Sequence, residues 1–233
     1  MKDIISCSRR TDIPWWYYKW LQETLKHGSI ELLNSYSNTN YVVDLNPENV
    51  HSIVLWSKNY EHLLADPGIL SDYNLYFQFT VNGYSKILEP NTPMILTMLS
   101  QMDLLVDTYS AEQINWRFDP IVLSKGGELK PTDKIGRARL DVFEMFCRRF
   151  SGFGLKRCTI SFMDLYDKVV ERLKSKNFDY IELIEDQVLA FTREMVNIAG
   201  EYGIQLYSCS SPIIEGVEEV KRGQCVDGVK EFN

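Results

Sequence analysis

The sequence lacks any apolar run approaching the roughly 20 residues of a membrane-spanning helix, which excludes a helical membrane span. Cysteine is sparse: five residues, odd in number and widely spaced, make no disulfide framework. Histidine is scarcer still, and His27, His51 and His62 show no metal-ligand spacing. His27 precedes Gly28 at an expected helix C-terminus, where a cation is favoured by the helix dipole, so its role reads as structural. Basic charge is outweighed, 25 Lys and Arg against 32 Asp and Glu for a net charge of -7. That balance argues against non-specific nucleic-acid binding. No glycine-rich phosphate loop follows an expected strand: Gly126-Gly127 sits in a long loop, and Gly152 and Gly154 follow a helix. A dinucleotide-binding fold therefore loses weight. Met1-Lys2-Asp3 has no signal-peptide character, and a cytoplasmic location is expected.

What is present is the alternation of a parallel α/β protein. The chain is 45% hydrophobic and 24% charged, ordinary globular material that reads as one domain over 1–233 with a loop-rich segment at 209–233. Short apolar runs predict strands at 4–8, 52–56, 75–80, 114–118, 157–162 and 204–207. Helical periodicity predicts helices at 14–27, 60–64, 92–109, 133–150, 166–174 and 184–202. A hairpin is expected from 30–33 and 41–45, after the first helix, and Asn46-Pro47-Glu48 is expected to cap a short helical turn. Six strands alternating with helices fit either an open doubly wound sheet or a six-stranded partial barrel.

Side-chain alternation along a strand separates two faces. Tyr76, Gln78 and Thr80 oppose Leu75, Phe77 and Phe79; Arg117 and Asp119 oppose Trp116 and Phe118; Thr159 and Ser161 oppose Ile160 and Phe162. The apolar faces are expected beneath the helices, leaving a polar face for a ligand, a cofactor or bound water. Ligands in α/β proteins sit at the carboxyl ends of strands, and five strand ends carry polar clusters. Ser8-Arg9-Arg10-Thr11-Asp12-Ile13-Pro14 places two arginines where carboxylate or phosphate can be held by paired hydrogen bonds; Asp12 either orients an arginine or caps the next helix. Trp56-Ser57-Lys58-Asn59 offers a lysine that can bind an anion or, desolvated, act as a base. In Trp116-Arg117-Phe118-Asp119-Pro120 the two charges can pair across one residue, and Pro120 is expected to end the strand. Ser161-Phe162-Met163-Asp164 and Tyr207-Ser208-Cys209 complete the set. Asp12, Lys58 and Asp119 are thus the candidate catalytic groups. Arg9, Arg10, Trp56, Gln78, Thr80, Arg117, Ser161 and Asp164 are the candidate ligand contacts.

These motifs, together with Phe77-Gln78-Phe79-Thr80, Asn82-Gly83-Tyr84, Glu89-Pro90-Asn91-Thr92-Pro93 and Cys225-Val226-Asp227, occur in an order that resembles a bacterial family of uncharacterised domains. Longer members of that family carry a C-terminal cysteine cluster like that of radical S-adenosylmethionine enzymes. The resemblance implies a partial (βα)₆ TIM-like barrel and, with it, a [4Fe–4S] cluster and S-adenosylmethionine. The chain itself contains no C-x₃-C-x₂-C, so it is expected to be either a portion of a longer protein or a member without the cluster. The resemblance makes Cys209 and Cys225 auxiliary metal ligands at most. It leaves two expectations open. One is the barrel portion of a radical-SAM-like enzyme; the other is a cluster-free module binding a phosphorylated or carboxylated small molecule or nucleotide.

Overall fold

The computed structural model describes residues 2–8, 10–34, 37–123, 134–175, 178–223 and 226. Seven parallel strands, a two-stranded antiparallel hairpin and intervening helices make a mixed α/β fold. The chain divides into two compact units, one of 1–80 with 85–114 and 226–233, the other of 81–84 with 115–225.

The first unit begins with β1 (Asp3–Cys7), α1 (Ile13–Trp16) and α2 (Tyr18–His27). A single helix is expected over 14–27, but Tyr17 breaks it with φ -132° and ψ 29°. Tyr18 is buried and its hydroxyl donates to the Asp66 carbonyl (2.6 Å), while Trp16, Tyr17 and Trp20 stay exposed. α2 then buries Tyr18, Leu21 and Leu25 on one face. Gly28 then closes α2 in the left-handed region at φ 72°, and a Cβ there would meet the Asn46 Oδ1 at 2.6 Å. The expected hairpin forms from β2 (Ser29–Asn34) and β3 (Thr39–Asp44). Asn46-Pro47-Glu48 makes a turn rather than a helical cap, closed by the Asn49 N–H on the Asn46 carbonyl at 2.9 Å. β4 (Val50–Ser57), α3 (Glu61–Ala65), β5 (Leu75–Thr80) and α4 (Ile95–Thr108) follow. β1, β4 and β5 are parallel neighbours, with Ser6 opposite Val54 and Trp56 opposite Gln78. As expected, the apolar face is aromatic: Tyr60 meets Phe77 and Phe79 edge-on at centroid separations of 5.3 and 5.1 Å.

The second unit holds β6 (Ile114–Ile121) from Asn115 onward, α5 (Lys134–Gly152), β7 (Arg157–Phe162), α6 (Asp167–Ser175), α7 (Glu185–Glu201), β8 (Gln205–Cys209), α8 (Pro212–Glu215) and β9 (Lys221–Gly223). β6, β7, β8 and β9 are successive parallel neighbours. The three-residue β9 raises the parallel strand count from the six expected to seven; it is too short to carry a periodic signal. Pro120 does not end β6. The strand runs on to Ile121 through a register shift after Phe118, which absorbs the proline's missing donor. Trp116, Phe118, Phe143, Phe146 and Phe150 are fully buried together. Phe143 stacks on the Trp116 ring at 5.5 Å. This aromatic core fixes β6 against α5 and so holds the opposite, polar face of the strand.

Candidate functional site

In the first unit the carboxylate of Asp12 is the organising group. It caps α1 by accepting from the Trp15 N–H (3.1 Å), and it also accepts from the Ser57 hydroxyl (2.6 Å) and the Lys58 N–H (3.1 Å). Asp12 therefore caps α1 through Trp15 and ties the loop after β1 to the end of β4 through Ser57 and Lys58. Burial pushes its carboxyl above the ordinary value, against the lowering pull of those donors and of the Lys58 charge. The Lys58 ammonium pairs with the half-buried Glu89 carboxylate, so the loop after β5 supplies a counter-charge. Arg10 is exposed, and its N–H approaches the Ser8 hydroxyl at 3.3 Å. The Trp56 indole N–H donates to the Ser6 hydroxyl at 3.1 Å, Gln78 is buried on the same face, and Thr80 is half-buried at the end of β5. Arg9 lies outside the described residues.

The second unit brings three strand ends into one connected cluster. Arg117 on β6 donates to Asp119 two residues on, as the alternation predicts, and the Ser161 hydroxyl on β7 donates to the other carboxylate oxygen. The same Arg117 Nη2 reaches the Cys209 sulfur on β8 at 3.1 Å. The Arg117 side chain is only 7% exposed and that of Asp119 16%, so the pair is largely withdrawn from water. Burial works against the charge on Arg117, but Asp119 and the Cys209 sulfur outweigh it and raise its pKa. Arg117 lies opposite Thr159, and Thr159 opposite Tyr207; the register shift after Phe118 falls at Asp119, whose carboxylate nonetheless meets both Arg117 and Ser161.

A second layer holds the cluster in place. The Asn82 side chain clamps the Asp119 main chain from both sides, accepting from its N–H (2.8 Å) and donating to its carbonyl (3.0 Å). Arg139 on α5 donates to the Asn82 carbonyl (2.6 Å) and lies between the Tyr84 and Phe118 rings, 4.0 and 3.9 Å from their centroids. The sequence places Asn82 in a motif without a role, and it offers Arg139 only as one of the clustered arginines, beside Arg137, that leave a local basic site possible. Its placement against Asn82 has one local signal, an arginine on the apolar stripe of an amphipathic helix. Just past the cluster a cavity of about 210 Å³ is lined by Ile121, Leu123, Phe162, Leu165 and the exposed Asp164 among others.

The described cysteines other than Cys209 belong to the core. Cys7, Cys147 and Cys158 are buried, and burial pushes the Cys7 thiol up to about 12 and the other two well above their ordinary value. Among the described residues no three of His, Cys, Asp and Glu converge as metal ligands. A [4Fe–4S] cluster needs about three thiolates on one site, and the described donors do not fit it. Cys225 lies outside the described residues. No described helix is long and apolar enough to cross a membrane.

No curated protein and no solved structure matches this chain. One family model does, and it spans residues 4–230, nearly the entire sequence and every motif discussed above. The chain belongs to the family described as domain of unknown function DUF1848.

Proposed function

We propose that this domain binds a small anionic molecule, carboxylate or phosphate, at the carboxyl ends of β6, β7 and β8, as the ligand-holding part of an enzyme built on a partial (βα)₆ barrel. The observation that carries the reading is the Arg117–Asp119–Ser161–Cys209 cluster. A nearly buried ion pair is an inefficient way to stabilise a fold, because desolvation offsets most of its attraction. Its position at strand ends is where parallel α/β proteins place ligands. Within the cluster the guanidinium is aimed at a thiol, a weak hydrogen-bond acceptor. An incoming carboxylate or phosphate oxygen replaces that contact with a charge-assisted hydrogen bond, while Asp119 and Ser161 keep the guanidinium oriented. Asp119 is also the group placed to accept a proton or a ligand hydroxyl. Asp12 and Lys58 take the lesser part of shaping the loops of the first unit. Asp164, in the same unit, remains a candidate contact for such a ligand, whereas Arg10, Trp56, Gln78 and Thr80 remain candidate ligand contacts within the first unit.

The test is thermal unfolding of the chain with inorganic phosphate, citrate or adenosine monophosphate, for wild type and Arg117→Lys. Binding at 100 times Kd adds about 2.7 kcal/mol of stability, a shift of several degrees. The lysine variant keeps the charge but loses the planar fork, and it should lose most of that shift. Equal shifts in both proteins, or none with any of the three anions, overturn the reading.

A second reading, the radical-SAM-like one, is favoured by Cys209 alone. It is the described cysteine that is not buried, and it stands on the polar face of the strands. Its cluster would draw further ligands from Cys225 and from residues beyond those described. Anaerobic reconstitution of the full natural gene product with iron and sulfide should give a cluster absorbance and S-adenosylmethionine cleavage. A product that takes up no iron rules it out.

A further inference from the structure

The first unit carries a surface that the strand-end reading does not use. Five of the six residues from Trp15 to Trp20 are aromatic, and three remain markedly exposed: Trp16 at 56%, Tyr17 at 53% and Trp20 at 47%. Exposed aromatics scattered singly need no explanation, but this many on one short stretch do. They are also concave rather than flat. With Gln22, His62 and Asp66 they line a groove of about 490 Å³, within the range of small-molecule sites.

Trp16, the last residue of α1, and Trp20, in α2, both stand exposed, while Tyr18 is buried and anchored through its hydroxyl to the Asp66 carbonyl at 2.6 Å. Ring stacking already organises one wall: the His62 ring lies nearly parallel to Trp15, 16° apart with centroids at 4.8 Å. Trp16 meets Trp15 at 63° and 5.4 Å, which leaves the two indoles as adjoining walls rather than a closed stack. Lys19 and Asp66 are of opposite sign and are the Lys or Asp side chains on the described lining. The lining is therefore close to electrically balanced, which disfavours an anion and a cation alike.

We propose that this groove binds an uncharged planar heterocycle of the nucleobase type, stacked on Trp16 and Trp20, with its polar edge met by Gln22 and Asp66. Aromatic faces attract such rings through dispersion and ring quadrupoles irrespective of base identity, while amide and carboxylate groups read the edge. A concave, balanced groove on a chain of net charge -7 fits a small neutral ring better than an anionic membrane surface.

The experiment is titration of intrinsic tryptophan fluorescence with adenosine, guanosine, cytidine and uridine, which carry no phosphate and so do not probe the Arg117 cluster. Saturable quenching is expected, because three of the five tryptophans line the groove. Trp16→Ala and Trp20→Ala should each weaken it at least tenfold, and Trp20→Phe should restore most of the affinity. Both residues are exposed, and unchanged circular dichroism and melting confirm that the variants fold. Absence of saturable quenching by all four nucleosides overturns the proposal. So does quenching that survives both alanine variants. A response to cellobiose or to phosphatidylglycerol vesicles with none to nucleosides would replace the heterocycle with a sugar or a membrane surface.

Discussion

Arg117 and Asp119 are the residues whose removal tells most about the strand-end cluster. Truncating one partner of a largely buried ion pair leaves the other charge uncompensated, at about 3–5 kcal/mol. Arg117→Ala should therefore lower unfolding stability by that order, measured by urea denaturation. The double replacement Arg117→Met with Asp119→Leu should recover most of the loss while abolishing the anion-dependent thermal shift. A double variant as unstable as the single one would mean that the pair serves the fold. Asp12 makes a pH-dependent prediction. Its carboxyl is raised above 3.8 in the folded state, so between that value and the raised one the folded chain holds a proton that the unfolded chain has released. Stability contributed by this group consequently falls as pH rises through that interval. The difference in unfolding free energy between wild type and Asp12→Asn should decline from just above pH 3.8 upward, and a flat difference would contradict the assignment.

At the scale of elements, the segment leaving β5 decides where Asp119 stands. Asn82 supplies both hydrogen bonds to the Asp119 main chain, and Arg139 fixes Asn82 in turn. Removing one partner of a buried hydrogen bond costs about 1–3 kcal/mol. Asn82→Ala is expected to cost at least that, and to weaken anion binding although Asn82 itself need not touch the ligand. Isothermal titration of the folded variant checks this, and unchanged affinity would reduce Asn82 to a purely structural residue. Gly83 allows no such freedom. It has φ +71°, and a Cβ would come within 3.1 Å of Phe146 and Val142, so Gly83→Ala combines strain with overpacking. A loss of about 2 kcal/mol or more is expected from the melting curve.

At the scale of the whole molecule, charge sets what the protein avoids. With a net charge of -7 and a pI near 5.1, the chain should not retard duplex DNA in a gel at physiological salt. Retardation that weakens steeply with salt would expose a basic patch that the overall charge conceals.

Period and composition by themselves determined the alternation of strands and helices, the hairpin, the apolar strand faces and the pairing of Arg117 with Asp119. Each of these depends on neighbours within a few residues, or on the two-residue repeat of a strand. Boundaries failed where distant packing overruled local preference. Tyr17 breaks an otherwise helical run, which no local pattern in 14–27 signals. β6 continues through Pro120 because a register shift accommodates it. Only the tertiary structure decided which polar groups meet. Cys209 stands 92 residues from Arg117 along the chain, yet reaches its guanidinium through the register of parallel neighbours. Asp12 caps α1 and also binds Ser57 and the Lys58 N–H, contacts made across 45 and 46 residues of chain. Such contacts depend on how strands align across long connections, and no local pattern encodes that alignment.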